Sequence, residues 1–287
     1  MIAPLFASLL QSFFTDRLLR QMQVSPNTVA GYRDAFRLLL RFAACRLNKE
    51  PSDFMIEDLD PALVIDFLDS LEVERNNSVR TRNNRLAAIR SFFRHVAMSE
   101  PACALQCQQI LAIPQKRYQK RMIEFLNREE IEALVAAPDT STWIGRRDRT
   151  ILLFLVQTGL RVSELTSLCP ESVALGVGAH VRCEGKGRKF RCVPLRRDTV
   201  AAVVAWLDEQ RPASGAPLFP SSGGGRLSTD AAERLVTRHV LTGSSSCPSL
   251  AEKNVTPHVL RHSTAMALQE QGVTLSVIAL WLGHESV

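Results

Sequence analysis

Arg161 follows a glycine in "TGLRVSEL", and Lys186 occupies the turn of "GKGRK". His258 and Arg261 stand three apart in "HVLRH", and His284 follows another glycine in "LGHES". Each alone fits a plain structural role: a solvated arginine, a turn lysine, a histidine satisfied by its neighbours. Together they form a chemical set. Two guanidiniums can fork onto the non-bridging oxygens of a phosphodiester and neutralise the charge that grows as phosphorus becomes pentacovalent. A lysine can give a proton to a departing alkoxide, and two histidines can take the nucleophile's proton or hydrogen-bond a phosphate oxygen. This set handles phosphoryl transfer without a metal or other cofactor, and no carboxylate cluster that would hold magnesium stands out.

Positioning these groups requires helix ends and one hairpin. "RRDRTILLFLVQTGL" reads as a strongly apolar helix closed by Gly159, so that Arg161 leaves it towards a cleft. "AHVRCEGKGRKFRCVPL" reads as two short strands around a Gly-Lys-Gly turn, a β-hairpin with Lys186 at its tip and Arg188 beside it. "TPHVLRHSTAMALQEQG" is a helix whose i, i+3 spacing puts His258 and Arg261 on one face. His262 is expected on a different face, in a packing or hydrogen-bonding role. "TLSVIALWLGHESV" is a last apolar helix leading to His284.

The first ~115 residues read as helices with short polar breaks. Ser25-Pro26 opens one, Asp60-Pro61 a second, and "NSVRTRNNRLAAIRSFFRHVAM" forms a third. That third helix carries Arg80, Arg82, Arg85, Arg90 and Arg94, a basic face suited to a phosphate backbone or simply to solvent. "IPQKRYQKRMIEF" lacks apolar periodicity and reads as a linker, its Lys116, Arg117, Lys120 and Arg121 suited to lie along a nucleic acid. Asn127 and Glu130 have capping-box spacing at the start of the second domain. The expected division is residues 1–113, a linker over 114–123, and residues 124–287.

At 287 residues, 46% hydrophobic and 22% charged, the chain is long enough for two cores, and its net charge of +6 favours a polyanionic partner. Seven scattered cysteines without CxxC pairing argue for a reducing compartment and against a zinc site. The apolar start "MIAPLFASLLQSFF" lacks the basic region and cleavage site of a signal peptide, and no window gives the ~20 apolar residues of a membrane span. A cytoplasmic protein without a membrane partner is expected.

The four stretches, in this order and at these spacings, resemble the tyrosine recombinase (phage integrase) family. "SPNTVAGYRDAFRLLLRFA" and "RTRNNRLAAIRSFFRH" are similar to that family's core-binding domain, so the resemblance runs from about Ala7 onward. It implies a mainly α fold: a helical, SAM-like N-terminal domain and a mostly helical α+β catalytic domain with a small antiparallel β-sheet, together a C-shaped clamp on double-stranded DNA. It implies Arg161 and Arg261 on the scissile phosphate, Lys186 as general acid towards the 5′-oxygen, His258 assisting the nucleophile's proton and His284 hydrogen-bonding the phosphate. Glu164 matches an acidic position that supports the site. An oligomeric synapse on DNA follows from the same resemblance.

In that family the nucleophilic tyrosine lies about nine residues beyond the histidine of "LGHES", near position 293 and past Val287. The two tyrosines here, Tyr32 on an apolar helix face and Tyr118 in the linker, match no such motif. Two functions therefore stand as expectations. One is site-specific DNA recombination through a 3′-phosphotyrosyl intermediate, with the phosphate-activating pocket here, the tyrosine elsewhere, and assembly weakened by the shortened C-terminus. The other is a catalytically inactive DNA-binding remnant that occupies recombination sites.

Overall fold

Capping side chains written in the sequence set where the helices of the computed structural model begin. The structure describes residues 6–119, 124–185 and 189–283. Its contacts divide the chain into two units, Met1–Lys120 and Arg121–Val287. In the first, α1 (Phe6–Ser12) passes directly into a π-helical stretch, Phe13–Gln21. Then come α2 (Pro26–Leu47), α3 (Pro61–Val73), α4 (Val79–Ser99) and α5 (Ala104–Ala112). Ser25, Asp60 and Ser78 cap α2, α3 and α4 by accepting the backbone N–H of Thr28, Leu63 and Thr81 at 3.2, 2.7 and 3.2 Å. Pro26 and Pro61 take first-turn positions, where a missing N–H costs nothing.

Aromatic side chains fill the core of this unit. Phe92 of α4 meets Phe6, Phe13, Phe36 and Phe93 with ring centroids 5.2–5.5 Å apart, edge to face. Tyr32 stacks on Phe13 at 6.2 Å, in keeping with its place on the apolar face.

One expectation for the basic face of α4 is corrected here. Arg82 is buried, 4% exposed, and donates to the Pro114 carbonyl at 3.4 Å. Asn83 exchanges two hydrogen bonds with the Lys116 backbone, at 2.8 and 3.1 Å, and Arg90 donates to the Ile113 carbonyl. Lys116 itself sits between Asp69 and Glu72. Arg82 and Arg90 clasp the segment after α5 onto α4, because backbone carbonyls leaving a helix need donors, while Lys116 ties it to α3. Arg82 therefore offers no surface charge to a phosphate.

The second unit contains α6 (Arg128–Ala136), α7 (Trp143–Thr158), α8 (Val162–Ser167), strands β1 (Val173–Ala174), β2 (His180–Glu184) and β3 (Phe190–Pro194), then α9 (Arg197–Gln210), α10 (Thr229–Gly243), α11 (Pro257–Glu270) and α12 (Leu275–Leu282). Asn127 and Glu130 form the expected capping box at 2.9 and 2.8 Å. The strands form an antiparallel sheet in the order β1-β2-β3, with Val181 opposite Val193 and Cys183 opposite Arg191. Helix α7 runs through the core and packs on α6, α9 and α11. Its Asp148 is fully buried and is held by Arg147, at 2.7 and 2.9 Å, and by His239 at 2.9 Å. A buried carboxylate needs such partners. Among the described residues, no helix is long and apolar enough to cross a membrane.

Since Phe92 is fully buried at the centre of four rings, Phe92→Ala should lower the unfolding free energy by about 3–5 kcal/mol in chemical denaturation of the whole chain. A loss below about 1 kcal/mol would mean that the aromatic cluster does not hold this unit together.

Candidate active site

The turn between α7 and α8 places the first arginine. Gly159 ends α7 in the left-handed region, φ 62°, and its N–H donates to the Leu155 carbonyl at 2.9 Å. A Cβ there would lie 2.7 Å from Cδ2 of Leu282, so glycine answers both to the backbone conformation and to the close approach of α12. Two residues on, Arg161 is the extended N-cap of α8.

Glu164, in the first turn of α8, gathers the neighbouring cations. It is 4% exposed and accepts four hydrogen bonds. The Arg161 backbone N–H reaches Oε2 at 2.8 Å and Arg161 Nη1 reaches Oε1 at 3.0 Å. Arg191 of β3 adds a fork, Nη1 to Oε1 at 2.9 Å and Nη2 to Oε2 at 2.8 Å. The carboxylate's acceptor capacity is thereby used up. Burial pushes the Glu164 carboxyl up, but the Arg191 fork, the Arg161 N–H and both guanidinium charges outweigh it, and the group is held below the ordinary carboxylate range. Arg191 is moved the other way: burial lowers it, and the bonds and charge of Glu164 more than restore it.

The second arginine comes from α11, which Thr256 caps and Pro257 opens. Arg261 is buried, and its guanidinium donates to the carbonyls of Gly159, at 2.7 Å, and Leu282. Burial, with the nearby charges of Arg161 and Arg191, pushes its pKa down to about 10 against the pull of Glu164. Three guanidiniums thus surround one carboxylate, and a site so charged favours an anion.

Arg161, His258 and Arg261 line one cavity of about 560 Å³, together with Ser163, Thr256 and residues of α10, among them Thr229, Glu233 and Thr237. His258 is exposed into solvent, and its ring meets His262 edge-on at 4.9 Å. The expectation that His262 points to another face is corrected: residues four apart on a helix lie one above the other. Lys186, Arg188, His284, Lys120 and Arg121 lie outside the described residues.

Of the cations assigned to DNA contact, Arg80, Arg94 and Arg117 are exposed, Lys116 is exposed but paired, and Arg85 and Arg90 are half-buried with Arg85 donating to the Gly31 carbonyl at 3.0 Å. Two groups escaped the sequence reading. Arg33, Arg37 and Arg41 form an exposed stripe on α2 at one-turn spacing, visible as an i, i+4, i+8 pattern. Arg191 lies on the inward face of its strand together with Val193, and strand alternation alone would have shown an arginine there needing a buried acid.

The lowered pKa of Glu164 sets a pH dependence. Its ionised form contributes stability that is fully present above the unfolded value near 4.5 and is lost as pH falls through the lower folded value. Glu164→Gln should cost about 3–5 kcal/mol at neutral pH by leaving buried guanidiniums unpaired. Its melting temperature should then converge on that of the wild type as both are acidified below about pH 4.5. Parallel curves across that range would contradict the assignment.

Residues 124–287 match the phage integrase family, and residues 9–101 match the phage integrase N-terminal SAM-like domain. The chain is 50% identical over 281 residues to "Putative integrase/recombinase y4rC" of Sinorhizobium fredii, covering 98% of this chain and 85% of the relative. It is 34% identical over 268 residues to tyrosine recombinase XerC of Pelobacter propionicus, covering 93% and 84%. The solved λ integrase dimer bound to a COC′ core site shares the fold with a TM-score of 0.70 at 17% identity, over 99% of this chain and 75% of that one. The chain belongs to the phage integrase family, the tyrosine recombinases that break and rejoin DNA at specific sites.

Proposed function

We propose that the cavity receives one phosphodiester of double-stranded DNA and serves strand exchange at a specific site. Arg161 and Arg261 bind its non-bridging oxygens and His258 receives the nucleophile's proton. Lys186 protonates the departing 5′-oxygen, and His284 hydrogen-bonds the phosphate. A tyrosine oxygen forms the new bond to phosphorus as the 5′-oxygen leaves, and the partner strand's 5′-hydroxyl later reverses that step, so no nucleotide hydrolysis is needed. The observation that carries this reading is the convergence of Arg161, His258 and Arg261, from two separate elements, on one cavity.

Tyr32 is stacked on Phe13, and Tyr118 belongs to the segment after α5. We assign the nucleophile to neither. It is the tyrosine that the family resemblance places near position 293, or one lent by a neighbouring subunit in an oligomer on DNA. Exposed Arg80, Arg94 and Arg117, with the α2 stripe, serve the DNA backbone. The second reading, a DNA-binding protein that occupies recombination sites without cutting, rests on the same pocket and on the same exposed arginines.

The test mixes this chain, without metal, with duplex selected for binding to it and with a full-length relative disabled at the residue matching His258. Strand cleavage by the mixture, lowered about 10²–10³-fold by Arg161→Ala, is the result expected for the recombinase. Binding without cleavage favours the second reading. If six to ten phosphates are contacted, affinity should fall about 10³–10⁵-fold between 50 and 200 mM salt. Binding unaffected by salt would contradict the DNA reading.

A further inference from the structure

The hydrogen bonds around Glu164 do not stop at the cavity. Arg191 spends Nη1 and Nη2 on Glu164 and still donates from Nε to the Trp281 carbonyl at 3.0 Å. Trp281 is in the last turn of α12, where backbone carbonyls have no partner within the helix and a cation is favoured. The next carbonyl, Leu282, is taken by Arg261, and the Trp281 indole N–H donates to the Thr158 carbonyl at 3.1 Å. Gly283 then leaves the helix at φ 67°, and a Cβ on it would stand 2.9 Å from Nη1 of Arg191. The Arg191 side chain is only 10% exposed and does not line the cavity.

We propose that Arg191 is a positioning residue for the phosphate chemistry. Through Glu164 it sets the angle at which Arg161 enters the cavity. Through the Trp281 carbonyl and its contact with Gly283 it fixes where the chain leaves α12, so that both sides of the site are held by one planar fork. The inference rests on the phosphate reading of the cavity. It requires arginine: a lysine ammonium cannot reach both carboxylate oxygens and a carbonyl in three fixed directions.

A purely structural arginine would only balance the buried charge of Glu164. The two roles separate when carboxylate and guanidinium are neutralised together, as in Glu164→Gln with Arg191→Met. The test uses orthovanadate, which adopts the five-coordinate geometry of a phosphoryl transition state, titrated calorimetrically into the intact chain alongside melting curves. Arg161→Ala and Arg191→Met should each weaken vanadate binding by about tenfold or more. The double variant should recover the melting temperature lost by Arg191→Met but leave vanadate binding weak, since Arg161 stays untethered. Should Arg191→Met fail to fold, the double variant carries the comparison.

Recovery of both properties in the double variant, or wild-type affinity in Arg191→Met while Arg161→Ala loses it, overturns the inference and leaves the phosphate reading standing. Unchanged affinity in Arg161→Ala removes the phosphate reading, and the inference with it.

Discussion

The structure of the site depends on one buried carboxylate that must be compensated. Glu164 is shielded from water and meets every acceptor demand through Arg161 and Arg191. An ionised carboxylate in such a place is tolerated only with close cations and complete hydrogen bonding. Because those cations come from the α7–α8 turn and from β3, satisfying Glu164 also fixes a turn, a strand and an arginine that faces the cavity. The geometry of the cavity is thus a by-product of a folding requirement.

The second consequence is charge. Glu164 neutralises part of what surrounds it, and Arg261 has its pKa pressed down to about 10 by burial and by its two arginine neighbours. A cavity in this state is electrostatically unfinished: an anion entering it relieves repulsion among guanidiniums already in place. Under the proposed phosphate chemistry, charges fixed in this way need no reorganisation as negative charge builds on the non-bridging oxygens. Arg261 adds a mechanical role, for it ties the Gly159 and Leu282 carbonyls together while presenting its charge.

Much of this was legible in the sequence because local chemistry and tertiary structure agree. The caps at Ser25, Asp60 and Asn127 are visible as residue types before apolar periodicity, and each makes its hydrogen bond. Gly159 before Arg161, and the i, i+3 pair His258 and Arg261, survive folding as read. What escaped depends on partners distant in sequence. A run of arginines on α4 looks uniformly solvated until the segment after α5 folds back on it and takes Arg82 and Arg90. Arg191 lies twenty-seven residues from its acid, so no local pattern pairs the two. Strand β1 is two residues long, too short to leave a pattern, and the π-helical stretch Phe13–Gln21 shares its apolar spacing with an ordinary helix.

The most direct measurement of the central claim is a walk of single neutral methylphosphonates along a duplex bound by this chain. If Arg161 and Arg261 share one phosphate, a single position should lose far more affinity than its neighbours. At that position Arg161→Ala should cause no further loss, because charge and partner have been removed together. A uniform small loss at every position, with Arg161→Ala costing the same on all duplexes, would show that the guanidiniums serve no common phosphate.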